Sequence, residues 1–510
     1  MRFASPESAA QTTMPASRSE ALAFRIFRNV VVPLILFLVI WTPRVVDLNV
    51  FTTADESRWL QRSVNFAIAL TERDWGATFQ REHPGVTTTW LGAAGVFQAI
   101  PDLQQRIAAD PERYKQPFET WIEPETGLAA IDLLATARLW VTLFVAIALT
   151  ATYFPLRRLL GSGAAVVALL FIALSPMNIA FSRQVQPDGF VSSMYFASAA
   201  FFLAWLYGGL RWRDLIVAGV LMGLAWLTKT PAALLALAGG GLVLLELWRS
   251  WRTQRNSSPA QPQRFWSLAR PLLVGYVLWG IVAAATFFVL WPAMWVNPLD
   301  VFARMFLEMS VYAEGHSNPN FFMGAIVQDP GLLFYPVAYL WRTTPAQWLG
   351  LLLAAIAASK QYGPFSNPRT RQAAFGFLFF ALVFGIVMAF VGKKFDRYLL
   401  PAFLPLDVLV ALGWLAGCTW LVNVLFVHFN LPKTRSLATK GAVVLAAVVV
   451  GGIFALHGVF AVATAPYYLT YFNPLLGGTP AATKSMFSGV GRRPGPGGGL
   501  ACRATGSDEC

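Results

Sequence analysis

The amino-acid sequence predicts an all-α polytopic membrane protein, with about eleven transmembrane helices and interfacial helices in its first extracytoplasmic loop. Three observations lead there. Of 510 residues, 56% are hydrophobic and only 13% are charged, against about 25% charged in soluble domains. The mean hydropathy is +0.54. Apolar runs of about 15 to 25 residues recur along most of the chain, the length a helix needs to cross a bilayer.

The first run, 29–41, follows Arg25 and Arg28. The segment ahead of it is long for a signal peptide, and Thr42-Pro43-Arg44 is a poor cleavage site. An uncleaved first helix is therefore expected, with 1–28 as a cytoplasmic segment. The later spans fall near 133–153, 163–181, 189–206, 215–227, 231–247, 271–291, 345–358, 373–391, 401–415 and 441–462.

The net charge of +13 fits this topology. With the N-terminus inside, the short inner connections carry Arg157 and Arg158, then Arg211 and Arg213. Next come Arg249, Arg252, Arg255, Arg264 and Arg270, then Lys360, Arg369 and Arg371, then Lys433, Arg435 and Lys440. Cytoplasmic loops collect such residues, so the basic balance calls for no nucleic-acid partner. Its expected surroundings are the lipid bilayer of the cell membrane. Three cysteines, Cys418, Cys502 and Cys510, form neither a disulfide framework nor a metal-type spacing.

Three regions are left outside: 42–132, 292–344 and a tail from 464. In the first, Leu60, Val64, Ala67 and Ile68 share one face of a stretch from Asp55 to Arg73, which predicts an amphipathic helix lying in the interface. The stretch 86–100 is apolar but short for a span, and predicts a second interfacial or re-entrant helix.

Positive charge outside is what the rule disfavours, so the exceptions are informative. Arg183 lies in Ser182-Arg183-Gln184-Val185-Gln186-Pro187-Asp188. Lys229 lies in Leu227-Thr228-Lys229-Thr230-Pro231. Lys393, Lys394 and Arg397 lie in Gly392-Lys393-Lys394-Phe395-Asp396-Arg397-Tyr398. Each group sits at the outer end of a span, and Arg58 and Arg342 join the same side. A lone residue of this kind snorkels to headgroups. Three separate outer turns point instead to a shared site for a phosphate or anionic headgroup, where scarce water strengthens charge-assisted bonds.

Asp55, Glu56 and Asp188 are the acidic counterparts. Asp55-Glu56 alone reads as a helix cap. Beside a membrane face and opposite a basic cluster, it becomes a candidate general base, raised in pKa by desolvation unless a cation offsets it. His83-Pro84-Gly85 opens the second interfacial helix; His83 is a candidate for bonding a phosphate or a substrate hydroxyl. No metal-ligand spacing stands out. The sequence therefore requires no cofactor and leaves a divalent metal open, with Asp55, Asp188 and His83 able to meet in space.

In this order, the motifs resemble the GT-C membrane glycosyltransferases. The nearest group is the dolichyl-phosphate-mannose-protein mannosyltransferase-like enzymes, which include the aminoarabinose transferases acting on lipid A. The matching residues are Asp55-Glu56, His83-Pro84-Gly85, Arg183 to Asp188, Lys229-Thr230-Pro231, and Phe334-Tyr335-Pro336 followed by Arg342-Thr343-Thr344-Pro345. The turn from Lys393 to Pro401 completes the set. The resemblance implies a glycosyltransferase domain over 29–463 that moves a sugar from a polyprenyl-phosphate carrier to an extracytoplasmic acceptor hydroxyl or phosphate, whose identity stays open. Asp55 would be the base or would position the acceptor, with Glu56 in support. Arg58, His83, Arg183, Lys229, Lys393, Lys394, Arg397 and Tyr398 would line the donor-phosphate side. The cations among them would stabilise charge on the leaving phosphate. Asp188 would orient a cation, a sugar hydroxyl or a lysine. A single inverting displacement is expected, and without an Asp-x-Asp motif no nucleotide-sugar site is.

The tail departs from this pattern. Residues 466–474 suit an outer segment, whereas Gly489 to Gly499 loses all apolar periodicity and predicts disorder after about 485, of the kind a frameshift or truncation leaves. The rival reading is a lipid or solute transporter with an outward anionic-headgroup site, which would place its charges nearer the midplane. A non-enzymatic membrane scaffold would need no convergence of acid and base. The discriminating geometry is whether Asp55, Asp188, Lys229 and Lys393 meet.

Overall fold

The computed structural model describes residues 18–81, 84–255, 262–314, 320–428 and 437–486. The chain is a bundle of apolar helices with two loop regions packed over one end. Its main helices are α1 (Val32–Val45), α2 (Glu56–Glu72), α3 (Val86–Ala99), α4 (Ala130–Ala151), α5 (Ser162–Leu174), α6 (Pro176–Ser182), α7 (Pro187–Tyr207) and α8 (Trp212–Thr228). There follow α9 (Leu234–Arg255), α10 (Pro262–Val289), α11 (Pro298–Glu314), α12 (Phe334–Arg342), α13 (Pro345–Ser359), α14 (Pro368–Ala389), α15 (Leu400–His428) and α16 (Leu437–Thr464).

Among the described residues, seven helices are long and apolar enough to cross a membrane, or eight if the bent pair α5–α6 counts as one span. The chain is thus a multi-pass membrane protein, but the expected count of about eleven is not reached on length and composition. The remaining three expected segments are also helical. Two are short: α8 has 17 residues and α13 has 15. The third is α16, of which only Gly451–Thr464 qualifies as a shorter apolar helix.

α7 is the axis of the bundle; from Pro187 to Leu206 every residue is buried. Burial from lipid gives little hydrophobic drive, so packing and interhelical hydrogen bonds hold such a helix. Ser198 Oγ donates to the Ala218 carbonyl of α8 at 2.8 Å, and Tyr195 donates to the Phe380 carbonyl of α14 at 3.2 Å. Each bond of this kind contributes about 0.6 to 2 kcal/mol.

The break between α5 and α6 bends by 67°. Pro176 has no N–H for the Ile172 carbonyl. The Asn178 amide takes that role, donating to Ile172 O at 2.9 Å. His457 Nε2 lies 3.1 Å from the Phe171 carbonyl, and its Nδ1 lies 2.9 Å from Thr344 Oγ1. Thr344 and Gln347 form the capping box of α13, and Gln347 donates to Asp407 Oδ1 at 2.6 Å. A polar chain thus joins α5, α13, α15 and α16, satisfying groups that lipid could not.

The first loop region corrects one expectation. Its two apolar helices, α2 and α3, do not lie apart on an interface. The apolar face of α2, including Leu60, Val64, Phe66 and Ala67, is fully buried against α3 and α4, in a second core with Trp121 and Trp291. The face meets protein because α3 and α4 supply a complementary wall. In the second loop region a short hairpin, β1 (Asn320–Phe322) and β2 (Ala325–Val327), precedes α12.

The bundle ends differ chemically. At one, Arg157 reaches Asn29 at 2.7 Å and Arg158 pairs with Asp214. At the other meet the turns after α1, α6, α8 and α14. The disordered stretch expected after about 485 lies almost wholly outside the described residues, as do Cys502 and Cys510.

Candidate functional site

The site grows from four breaks in helical structure. Asp55 stands at the N-cap position of α2, yet its side chain makes no cap bond there. Asp188 is in the first turn of α7, where Pro187 starts the helix and the dipole favours a carboxylate. Gly189 lets α7 press against the end of α6: a Cβ there would sit 2.1 Å from the Phe181 carbonyl oxygen. Lys229 follows α8 in extended conformation (φ −158°, ψ 133°), as the link between α8 and a 3-10 turn, Thr230–Ala233, that holds Pro231 in its first turn. Arg397 and Tyr398 lie in the turn that leads into α15.

These side chains converge. Arg397 Nη2 is 2.9 Å from Asp55 Oδ2, and its Nε is 3.3 Å from Asp188 Oδ2. Lys229 Nζ donates to Asp188 Oδ1 at 2.7 Å and lies 3.8 Å from the centre of the Tyr398 ring. Two carboxylates and two cations from segments far apart in sequence thus form one alternating cluster. Asp55 is still 36% exposed and Arg397 26%, while Asp188 is 7% exposed. The outward edge is therefore open and the inner edge buried. Burial lowers the Lys229 ammonium from its usual range, with Asp188 opposing the shift.

Lys393 borders the cluster. Burial, then repulsion from Lys229, Arg397 and Arg81, brings its pKa down to about 8, against the pull of Asp55. Arg81 and Tyr335 are neighbours the sequence reading did not select as site residues. The Tyr335 hydroxyl is buried and has no hydrogen-bond partner among the described residues. Burial raises its pKa, with the charges of Tyr398, Asp396 and Asp188 adding to the effect. Both had a signal: Arg81 is another cation in the first loop, 42–132, and Tyr335 belongs to a Phe-Tyr-Pro motif.

Other expected residues are placed differently. Glu56 is fully buried and saturated. Arg138 Nε donates to its Oε1 at 2.7 Å and Arg138 Nη2 to its Oε2. It also accepts from the Val185 N–H at 3.0 Å and from the Thr53 N–H and hydroxyl, both at 3.0 Å. Its carboxylate ties the first loop to α4 and the α6–α7 turn, and no lone pair is left for substrate. Arg183 is buried too, donating to the carbonyls of Val46 and Asp47 beneath the rings of Phe51 and Tyr468. Lys394 is 1% exposed and pairs with Asp329 in the second loop region; that bond holds the Asp329 carboxyl below its usual range. Arg58 is exposed and takes no part in the cluster. His83 lies outside the described residues.

The motif around His83 still has a visible purpose. Gly85 adopts φ +60° against the Trp59 ring, where a Cβ would come within 2.1 Å of a ring carbon. Its N–H donates to the Thr228 carbonyl at 3.1 Å, and Thr87 and Thr228 hydroxyls meet at 2.6 Å. The turn therefore docks on the end of α8, directly before Lys229. No group of three or more His, Cys, Asp or Glu side chains with metal-holding spacing occurs among the described residues.

Comparison with known proteins gives one family match and several structural ones. Residues 128–258 match the family described as dolichyl-phosphate-mannose-protein mannosyltransferase. No curated protein matches the chain. Among solved structures, ArnT from Cupriavidus metallidurans bound to undecaprenyl phosphate aligns at 16% identity and a TM-score of 0.48, over 87% of this chain and 77% of its own. The oligosaccharyltransferase of Archaeoglobus fulgidus aligns at 13% identity and a TM-score of 0.47, over 86% of this chain and 56% of its own. The S. cerevisiae protein O-mannosyltransferase Pmt1-Pmt2 complex bound to the sugar donor aligns at 13% identity and 0.38, over 56% and 36%.

Proposed function

We propose that this chain, which is similar to the GT-C membrane glycosyltransferases of the dolichyl-phosphate-mannose-protein mannosyltransferase kind, transfers a sugar from a polyprenyl-phosphate donor to an acceptor outside the cytoplasmic membrane. The orientation has the N-terminus inside and the cluster outside. The observation that carries the reading is the convergence of Asp55, Asp188, Lys229 and Arg397, with Asp55 on the open edge.

In this reading the donor phosphate enters beside Arg397, Lys229 and Lys393. Their charge favours the phosphate as it leaves the sugar, because fixed cations in a dry site act without reorganisation. Asp55 takes the proton of the acceptor hydroxyl as that oxygen attacks the anomeric carbon. The bond to the phosphate oxygen breaks on the opposite face, so the configuration inverts. Asp188 keeps Lys229 and Arg397 in place, and the orphan Tyr335 hydroxyl is available to a phosphate or sugar oxygen. The 29–463 region acts as the catalytic unit.

The transporter reading draws on one observation: Asp407 is a buried carboxylate well inside α15. It accepts from the Gln347 amide at 2.6 Å, and no cation is paired with it among the described residues. The cluster itself sits at helix ends, which favours the enzyme. The two readings separate in reconstituted vesicles. Labelled sugar from a polyprenyl-phosphate donor should appear on an acceptor. Movement of the intact lipid across the bilayer with no transfer would favour the transporter.

A further inference from the structure

Arg397 is the hinge of the cluster, since its guanidinium contacts both Asp55 and Asp188. What fixes Arg397 is a second layer of contacts. Asp396 Oδ1 accepts the Arg397 backbone N–H at 2.8 Å, and Asp396 Oδ2 accepts from Arg342 Nε at 2.6 Å. Arg342, at the end of α12, is 3% exposed. Its Nη1 donates to the Leu469 carbonyl at 2.8 Å and to the Tyr471 carbonyl at 2.9 Å. Its guanidinium carbon lies 3.9 Å from the centre of the Phe472 ring. The same segment grips the end of α12 from both sides: Asn473 N–H donates to the Trp341 carbonyl at 2.8 Å, and its amide to the Thr343 carbonyl at 2.7 Å. At its other end, the Pro466 carbonyl is 3.5 Å from Arg183 Nη1, in the turn that leads to Asp188.

We infer that Arg342 is a positioning residue for Arg397, acting through Asp396, and that segment 466–473 is the brace that sets Arg397 against Asp55 and Asp188. The chemistry fits that purpose. A planar guanidinium reaches the carboxylate through Nε and the two carbonyls through Nη1, a fixed fork that the single nitrogen of an ammonium does not reproduce. Asp396 has both oxygens engaged, so the turn carrying Arg397 is held on its side chain and on its backbone. The brace joins the two halves of the cluster: Arg183 lies on the Asp188 side and Arg342 on the Arg397 side. Arg342 itself does not reach the cluster, so its effect on transfer must pass through Arg397.

This inference rests on the proposed function, and a double-mutant cycle separates the two. Asp396→Asn and Arg342→Lys are made in the native protein and in the Arg397→Gln background, all in lipid nanodiscs. Sugar transfer from the polyprenyl-phosphate donor and thermal unfolding are measured for each. Each single variant should lower kcat by about tenfold to a hundredfold, as a small misplacement of a reacting group does. In the Arg397→Gln background the same change should lower it by less than about twofold, because the residue it positions is gone. An equal loss in both backgrounds, or no loss in the native protein, overturns the inference and leaves the proposed function standing. If Arg397→Gln itself transfers at the native rate, the proposed function falls and the inference with it. Should Asp396→Asn fail to fold, Arg342→Lys carries the same cycle.

Discussion

Asp55 and Glu56 are neighbours in sequence with opposite fates. Glu56 faces inward and is consumed by Arg138 and three N–H or O–H donors. Asp55 faces the open edge and meets Arg397. Nothing in the pair itself announced which would be which; α2 turns one carboxylate into the core and leaves the other at its mouth. Glu56→Gln should therefore act on stability, by about 3–5 kcal/mol, because it leaves Arg138 buried without its counter-ion; chemical denaturation checks this, and an unchanged midpoint would refute it. Lys393 supplies a pH dependence. Its folded-state pKa of about 8 lies below the usual lysine value near 10.5. Its charged form is thus disfavoured in the fold; that cost begins to shrink as pH rises past about 8 and is gone only above the ordinary lysine range, where the unfolded chain has lost the proton too. Affinity for a polyprenyl phosphate should fall as pH rises through about 8, as Lys393 loses its charge beside Lys229 and Arg397. Titration of binding against pH should show that fall in the native protein and lose it in Lys393→Gln. Lys229→Met removes a cation of similar length, and should weaken donor binding by about tenfold or more.

At the scale of elements, sequence periodicity was informative about existence and poor about surroundings. The stretch from Asp55 to Arg73 is helical as expected, from Glu56 to Glu72. Its apolar face, however, meets α3 and α4 rather than lipid. Amphipathicity reports that a face is covered, not by what. The cations of the turns at Arg183, Lys229 and Lys393 were legible as a group, because each breaks the positive-inside pattern that the sequence predicts. Their individual duties were not: Arg183 and Lys394 are buried by contacts with Val46, Asp47 and Asp329 that no local motif encodes. The glycines at the element junctions test this level. Gly189→Ala would drive a methyl group into the Phe181 carbonyl. The variant should separate α6 from α7, costing about 1–3 kcal/mol in stability, and lower donor binding by shifting Asp188. A thermal shift with unchanged binding would mean that this junction does not set the site. Gly85→Ala combines a strained φ with collision against Trp59 and should act the same way on Lys229.

At the scale of the whole molecule, the charge alternation along the chain was enough to put the four breaks on one end of the bundle. It could not foresee that Asp55, Asp188, Lys229 and Arg397 would form one network, since that depends on how α2, α7, α8 and the turn before α15 close upon each other. Nor could it foresee the brace from 466–473, which crosses the bundle end to reach Arg342 and Arg183. The central claim is that Asp55 on the open edge of this network acts in sugar transfer. The most direct measurement compares native protein with Asp55→Asn in nanodiscs, using a labelled polyprenyl-phosphate sugar and a suitable acceptor. Native protein should transfer the sugar, and Asp55→Asn should do so about 10²–10⁴-fold more slowly while still binding polyprenyl phosphate. Equal rates in the two proteins would contradict the account.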